Sequence, residues 1–433
     1  MEKMELLEKE HEKALLVGLN LTTNVKRIDD IDINDSMKEL EELAKAAGAE
    51  VVGSLIQNKQ SIDAAFYLGK GKIEEIAAYS KSLDASLVIF NDELSGSQIR
   101  NIEDAVGVKI IDRTTLILDI FAQRAMSKEG KLQVELAQLR YRLPRLYGMG
   151  GQMSRTGAGI GTRGPGEQKL EVDKRHILNR QSDIRKELKL VKKNRETQRI
   201  QRKKSNTPIV ALVGYTNAGK STLLNELIKT HKDYHQDKEV FQKNMLFATL
   251  DVTLRKASLP NKKEFLVVDT VGFVSKLPHD LIEAFKATLE EVQYADLIIH
   301  VIDATNESFE IQQKTTDKVL KDLNIEDKKQ ILVYNKVDKL ELDIYPKNQE
   351  DVVYISAKQG INMDKLMNMI EESLIDDMYD VNLLLPYDKA NVFSELKNKY
   401  TIEKFEYVED GIEVSVSLNE KDFNTYQNFI LEK

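Results

Sequence analysis

The chain has 433 residues, of which 41% are hydrophobic and 31% charged, no cysteine, and a formal net charge of −8. This length exceeds what one hydrophobic core usually organises, so two to four domains are expected. The missing cysteines exclude disulfides and thiolate metal sites. The charged start and the shortness of every apolar run predict a cytoplasmic protein without a signal peptide or membrane span.

The first region, residues 1–125, alternates short β-rich runs with amphipathic stretches of helical spacing. Such alternation favours a parallel sheet with crossover helices, so an N-terminal α/β domain is predicted. Predicted strands are Lys13–Leu21, Glu50–Gln57, Ser86–Phe90 and Val108–Ile111, and predicted helices are Ser36–Ala47, Lys70–Ser82 and Ser97–Ala105. The glycines of Gly69–Lys72 lack the spacing of a phosphate loop, so this segment is interpreted as a tight turn.

The second region, residues 126–204, predicts an antiparallel helical hairpin with a glycine-rich tip. One apolar stripe of helical spacing, expected to end at Pro144, consists of Leu132, Leu136, Leu139 and Leu143. Residues 148–166 then contain eight glycines. A second helix is predicted from Gln168 to about Lys204, and its stripe, near the seven-residue period of a coiled-coil seam, consists of Leu170, Ile177, Ile184, Leu188 and Val191.

Charge is distributed unevenly along the chain. Residues 168–204 contain 14 Lys or Arg and five Asp or Glu, a net charge of +9, which leaves −17 for the rest. A solvated helix face is one interpretation. The asymmetry and the arginines of the tip, Arg155 and Arg163, favour RNA or ribonucleoprotein contact through residues 148–204.

Residues 205–376 carry the recognisable chemistry and predict a P-loop GTPase domain. An apolar run from Ile209 leads into G-x-x-x-x-G-K-S and a helical segment, the context in which this motif binds phosphates. Lys220 is expected to contact the β- and γ-phosphates, and Ser221 to supply a hydroxyl to Mg²⁺. The predicted nucleotide-binding residues of this loop are Gly214, Tyr215, Thr216, Asn217, Ala218, Gly219, Lys220, Ser221 and Thr222.

A second apolar run ends in the D-x-x-G motif that starts at Asp269. Asp269 is expected to hold Mg²⁺ through water, and the Gly272 N–H to contact the γ-phosphate. Between the motifs lies Phe247-Ala248-Thr249, and Thr249 is the preferred switch threonine that reaches Mg²⁺ when GTP is bound, with Thr253 as the alternative. Lys220, Thr249 and Gly272 are therefore the predicted catalytic residues.

The choice of base follows from two later motifs. The Asp338 carboxylate can accept both N1–H and the exocyclic NH₂ of guanine, whereas adenine would leave it unpaired. The predicted base-binding residues are Asn335, Lys336, Asp338, Ser356, Ala357 and Lys358. Four motifs in this order predict GTP and GDP as ligands, rather than ATP.

The residue after Gly272 is Phe273, where many Ras-like GTPases place a glutamine that orients the attacking water. Phenylalanine cannot do this, so turnover is expected to be slow or completed by a partner. Asn217 has the spacing of GTPases that bind K⁺ beside the phosphates, which makes K⁺ a further candidate cation. Residues 377–433 predict a small α+β domain with a hairpin formed by Phe405–Val408 and Ile412–Leu418.

With these residues in view, the chain resembles the HflX family of ribosome-associated GTPases, of the Obg-HflX superfamily, over nearly its whole length. The segments that carry the resemblance are Tyr67–Lys72, Phe90–Ser95, Ile111–Ala122, Leu132–Tyr141, Gly161–Glu167, Phe247–Asp251 and Asp269–Phe273. Two departures from the family pattern are Gln168-Lys169 in place of Thr-Gln, and Val252 in place of proline.

The resemblance implies binding to the large ribosomal subunit and its rRNA through the basic hairpin, and GTPase stimulation by the ribosome. It also implies splitting or rescue of stalled or idle ribosomes under stress. Two alternatives remain: a GTPase of ribosome assembly, and an RNA-remodelling protein that uses GTP as a conformational switch. A monomer that is partly ribosome-associated, with no DNA partner, is expected.

Overall fold

A computed structural model describes residues 11–22, 32–153, 165–204, 207–231, 247, 253–276, 292–323, 325, 327–340, 351–374, 378–400 and 402–431. Residues 1–366 form one compact unit and residues 367–433 a second. In this described part of the chain, every helix is too short or too polar to traverse a lipid bilayer.

The N-terminal part of the first unit is a four-stranded parallel sheet in the order β2-β1-β3-β4. The predicted parallel sheet with crossover helices is therefore confirmed. β3 is buried along all four residues because helices cover both faces of the sheet. The strands are β1 Lys13–Leu21, β2 Glu50–Lys59, β3 Leu87–Phe90 and β4 Lys109–Asp112, and the helices are α1 Ile33–Ala47, α2 Lys70–Ser82, α3 Gly96–Val106 and α4 Arg113–Arg124.

Side-chain caps fix where these helices begin. Ser95 and Gln98 form a reciprocal capping box at the start of α3. The Asp112 side chain accepts a hydrogen bond from the Thr115 backbone N–H and thereby caps α4. Because Asp112 is also the last residue of β4, strand and helix meet without a loop, which places Arg113 at the carboxyl edge of the sheet.

The helical hairpin consists of α5, Lys128–Met153, and α6, Pro165–Lys204. The prediction that Pro144 ends the first helix is wrong, since α5 continues through this residue. A proline inside a helix removes one backbone hydrogen bond. Here the next residue is anchored to the sheet: Arg145 Nη2 donates to Leu94 O at 2.6 Å and to Asp112 Oδ2 at 3.0 Å. Residues 154–164 of the predicted glycine-rich tip lie outside the described residues.

The two helices of the hairpin run antiparallel, as predicted. Leu132 and Leu136 of α5 form a buried apolar cluster with Ile184 of α6. Arg180 donates two hydrogen bonds of 2.7 Å to the Glu135 carboxylate. Burying the apolar stripes against each other leaves the charged residues of α6 on its outer face.

A second sheet, in the order β10-β9-β8-β5-β7-β6, follows the hairpin. All its pairings are parallel except β6 with β7, and this confirms the predicted P-loop architecture. Its elements are β5 Ile209–Gly214, α7 Lys220–Ile228, β6 Thr253–Ser258, β7 Glu264–Asp269, β8 Leu297–Asp303, α8 Phe309–Asp322, β9 Gln330–Asn335, β10 Val352–Tyr354 and α9 Met363–Leu374. The boundary between the two units falls within α9.

The second unit is built around an antiparallel sheet in the order β11-β13-β12. Its core is apolar and includes Leu383, Leu396 and Val414. The predicted hairpin is present as β12 and β13, and β11 completes the sheet on the other edge of β13. The elements are β11 Met378–Leu385, α10 Ala390–Lys399, β12 Ile402–Val408, β13 Gly411–Asn419 and α11 Glu420–Tyr426.

Candidate nucleotide site

The loop between β5 and α7 requires glycine at both of its ends. Gly214 has φ +143°, and a Cβ atom there would lie 2.2 Å from Val301 O. Gly219 has φ +96°, and a Cβ there would lie 2.2 Å from Asn335 Nδ2. Neither position tolerates a side chain, so the backbone can turn sharply and present its N–H groups at the start of α7.

The first helical residue after this loop, Lys220, is buried with its ammonium group inside the loop. Its Nζ donates to Gly214 O at 3.0 Å and to Tyr215 O at 2.8 Å. An ammonium group has three N–H bonds, so one remains for a phosphate oxygen. Burial lowers the pKa of Lys220 to about 8, and the nearby Asp269 carboxylate opposes that shift.

Ser221 and Asp269 form a pair of hard oxygen donors beside the loop. Ser221 Oγ donates to Asp269 Oδ2 at 2.9 Å. Asp269 ends β7 and is fully buried. The described residues contain no group of three or more His, Cys, Asp or Glu arranged to hold a metal ion by themselves. Mg²⁺ commonly binds through one carboxylate, a hydroxyl and substrate phosphates, so this donor pair fits it.

Gly272 lies directly against the phosphate loop. A Cβ there would lie 2.7 Å from Thr216 Cγ2 and 2.8 Å from Lys220 Nζ. The next residue, Phe273, is bonded to the loop through its backbone: its N–H donates to Gly214 O at 3.2 Å, and its carbonyl accepts from Thr216 N at 2.8 Å. The Phe273 side chain is buried in the apolar core. It therefore cannot orient water at a phosphate.

The base-binding motifs are tied to the phosphate loop by Asn335. Asn335 Nδ2 donates to Ala218 O at 2.9 Å, and Asn335 Oδ1 accepts from Ala357 N at 3.0 Å. Ser356 Oγ donates to Asp338 Oδ1 at 2.6 Å, which orients the carboxylate that would meet guanine. One amide side chain thus fixes the distance between the two ends of the site.

Lys336 has a left-handed backbone, with φ 70°, and its Nζ lies 2.7 Å from Asp303 Oδ2. Asp303 ends β8, so this ion pair holds the base loop against the neighbouring strand. Lys358, which follows β10, is exposed.

Other predicted site residues have different surroundings. Ala248 and Thr249 lie outside the described residues. Phe247 is buried against Phe121 of α4, with ring centroids 4.5 Å apart. Asn217, the candidate K⁺ residue, is exposed and has φ 61°. The Tyr215 hydroxyl donates to Glu39 Oε1 at 2.8 Å, so its side chain contacts α1.

Sequence reasoning missed the residues that surround this tyrosine. Glu39 and Arg113 of the N-terminal domain contact Ser275, which follows Phe273 by two positions. Glu39 lies in the charged stretch Lys38–Glu42, which is typical of a solvated helix face, so its pattern gave no signal. Of these residues, only Arg113 lies in a segment with a distinctive sequence pattern. That segment, Ile111–Ala122, is one of those that carry the family resemblance.

Three family models match consecutive parts of the chain. They are described as GTP-binding GTPase N-terminal, over residues 34–122, GTP-binding GTPase middle region, over residues 124–202, and 50S ribosome-binding GTPase, over residues 209–336.

Curated relatives match over almost the full length. The GTPase HflX of Caldanaerobacter subterraneus is 51% identical over 99% of this chain and 96% of its own. The GTPase HflX of Escherichia coli is 40% identical over 94% of this chain and 92% of its own. Among solved structures, a GTP-binding protein from Sulfolobus solfataricus in complex with GDP is 23% identical, with a TM-score of 0.45 over 83% of this chain and 98% of its own.

Proposed function

This chain belongs to the HflX family of GTP-hydrolysing enzymes, and we propose that it acts on the ribosome. It binds the large subunit through the basic hairpin, and that contact accelerates GTP hydrolysis. Its task is to split or rescue stalled or idle ribosomes under stress. A monomer in the cytoplasm, partly bound to ribosomes, fits this task.

Hydrolysis in this proposal depends on positioned charge at the phosphates. Lys220 donates to the β- and γ-phosphates, and the Gly272 N–H donates to the γ-phosphate. Mg²⁺, held by Ser221, by Thr249 and through water by Asp269, would neutralise charge on the phosphate oxygens. Asn217 is the candidate contact for K⁺. The direct hydrogen bond between Ser221 and Asp269 supports the metal assignment, because it brings two suitable donors together.

Guanine is recognised at the opposite end of the site. Asp338 accepts hydrogen bonds from N1–H and the exocyclic amine, with Ser356 holding the carboxylate in place. Asn335, Lys336, Ala357 and Lys358 complete the pocket around the base. The ties from Asn335 to the phosphate loop support this assignment, because they set the spacing between base and phosphates.

The observation that carries the ribosomal proposal is the outer face of α6. This helix buries Gln181 and Ile184 toward α5 and exposes a series of basic side chains. Exposed ones include Arg175, Arg180, Arg185, Lys186, Lys189, Lys192 and Lys193. A positive helix face on a chain of net charge −8 suits the phosphate backbone of rRNA.

The second support is the missing glutamine. Phe273 is held by its backbone and buried by its side chain, so no group at this position can orient the attacking water. A partner that supplies or orders such a group would raise the rate substantially, as trans-acting groups do in other GTPases.

The experiment is GTP turnover with and without purified large subunits at fixed K⁺, together with sedimentation of the mixture. The variant Arg175→Glu/Arg185→Glu/Lys189→Glu reverses three charges on the outer face of α6. We expect it to lose stimulation and co-sedimentation while its ribosome-free rate stays within about twofold, because the active site is untouched.

The matched control is Lys262→Glu/Lys263→Glu/Lys314→Glu, which makes the same charge change at exposed lysines of the GTPase domain. It should retain stimulation. Turnover that ignores mature subunits, or equal losses in both triple variants, would contradict the proposal. Binding restricted to immature particles would instead select the assembly alternative.

A further inference from the structure

The carboxyl edge of the N-terminal sheet is where an open α/β sheet usually binds a ligand. In the order β2-β1-β3-β4 all strands are parallel, but β2 lies on one side of β1 and β3 on the other, and ligands occupy the crevice at such a switch point. Asn91 and Asp92 follow β3, and Arg113 follows β4, so polar side chains gather there. Arg113 contacts Ser275 and Asp92 contacts Lys276, two and three positions after Phe273 of the nucleotide site.

One carboxylate, that of Glu39 in α1, binds this segment directly. Its Oε1 accepts from the Ser275 backbone N–H at 3.1 Å, and its Oε2 accepts from the Ser275 hydroxyl. The same Oε1 accepts from the Tyr215 hydroxyl at 2.8 Å. Tyr215 belongs to the phosphate loop, so Glu39 joins the loop and the segment after Gly272 at a single point.

Arg113 fixes the position of that carboxylate. Its Nη2 donates to Glu39 Oε2 at 2.7 Å and to Ser275 Oγ at 2.8 Å, and its Nη1 donates to Asn91 Oδ1 at 2.8 Å. The Arg113 side chain is 2% exposed and that of Glu39 is 12% exposed. Charge-assisted hydrogen bonds at such low exposure are strong and geometrically demanding.

Two further contacts bind the same segment to the N-terminal domain. Lys276 Nζ lies 2.5 Å from Asp92 Oδ1. Val271 and Val274, on either side of Gly272 and Phe273, are buried in the same apolar cluster as Ile117 and Phe121 of α4. The segment that carries Gly272 is therefore packed into the N-terminal domain. It is also hydrogen-bonded to the phosphate loop through the Phe273 backbone.

We propose that Glu39 is a positioning residue for GTP hydrolysis, supplied by the N-terminal domain. By holding Ser275 and Tyr215 on one carboxylate, it keeps the Gly272 N–H aligned with the γ-phosphate in the transition state. Without that carboxylate, the segment samples more positions, and only a fraction of them are productive. Neither the base nor the β-phosphate contacts depend on Glu39, so nucleotide affinity is preserved.

The test is ribosome-free GTP turnover, so its result is independent of the ribosomal proposal. Glu39→Gln keeps the size of the side chain, but its NH₂ group would face the Arg113 or Ser275 donors. We expect kcat to fall roughly tenfold, while KM for GTP and Kd for GDP stay within about twofold. The half-buried neighbour Glu41, paired with Lys45, provides the matched control Glu41→Gln, which should leave kcat unchanged.

Two further variants separate positioning from loss of stability. Ile102→Ala opens a cavity in the apolar cluster on the opposite face of the N-terminal sheet and should destabilise that domain without lowering kcat. Ser275→Ala should lower kcat, and the double variant Glu39→Gln/Ser275→Ala should be no slower than the slower single variant, because the Ser275 hydroxyl acts on this segment through the Glu39 carboxylate.

Three outcomes would overturn the proposal. One is an unchanged or increased kcat in Glu39→Gln, another is losses in the double variant that multiply, and the third is a kcat in Ile102→Ala that falls as far as in Glu39→Gln.

Discussion

Two aspartates occupy the same kind of position in the two parallel sheets. Asp112 is the last residue of β4 and Asp269 the last residue of β7, and both side chains are fully buried. Asp112 accepts hydrogen bonds from four residues of the loop before α3, of α4 and of α5: Leu94 N at 3.0 Å, Thr115 N at 2.9 Å, Arg145 Nη2 at 3.0 Å, and the Tyr141 hydroxyl. Asp269 instead shares a hydrogen bond with Ser221, beside a loop whose glycines keep the backbone open.

The comparison shows that a strand end does not by itself make a functional site. At the β4 edge, side chains of the protein fill the place where a ligand would bind, and the carboxylate serves the fold. At the β7 edge, two glycines and a buried lysine leave polar groups available for the proposed phosphate contacts. The side chains around the carboxylate therefore decide the use of each edge. The β7 edge is left open for a nucleotide, and the β4 edge binds the segment that follows Gly272.

The largest effect that tests this contrast is expected at the β7 edge, beside the phosphate loop. Lys220→Ala removes the ammonium group proposed to contact the β- and γ-phosphates, so GTP and GDP affinity should fall by about 100-fold or more. Binding is measured by titration with a fluorescent guanine nucleotide. Lys229→Ala removes a lysine paired with Glu226 at the end of α7 and is the control, expected to bind normally. Near-normal affinity in Lys220→Ala would place the phosphates elsewhere.

The nucleotide edge could be predicted from sequence because its determinants are local. Gly214, Lys220 and Ser221 lie within eight consecutive positions, and their roles follow from the strand and helix on either side. Glu39 and Ser275 are separated by 236 positions, and nothing in a charged helix predicts such a partner. The error at Pro144 has a similar cause, since Arg145 secures the helix through contacts with residues distant in the chain.

The second prediction concerns the β4 edge, around Asp112. Asp112→Asn replaces one acceptor oxygen with a donor that would face other donors, and it removes the 3.0 Å ion pair of Arg145, whose ion pair with Glu93 is longer, at 3.5 Å. We expect a loss of about 2–3 kcal/mol of stability in the N-terminal domain, seen as a fall in Tm of roughly 5–10 °C, with GDP affinity unchanged. Asp104→Asn, on the exposed face of α3, should change neither quantity. A weakened nucleotide affinity with unchanged Tm would reverse the assignment of the two edges.

The smallest effect concerns protons at the nucleotide edge. Burial lowers the pKa of Lys220 to about 8 in the free protein. Bound phosphates favour the ammonium form and raise that pKa, so binding takes up a proton, and affinity falls as the pH rises through 8. At pH 8, Lys220 should take up about half a proton for each GDP molecule that binds. Calorimetric titrations in two buffers of different ionisation enthalpy measure this quantity, and an uptake of zero would contradict the prediction.

The long helix α6 has a mechanical consequence. It spans 40 residues and ends at Lys204, five positions before strand β5 begins at Ile209. A straight helix of that length measures about 60 Å, so a tilt of only about 5° at its base displaces its far end by about 5 Å. A rearrangement of the GTPase domain that tilted the base of α6 by this angle would therefore move the far end of the helix by about the pitch of one helical turn.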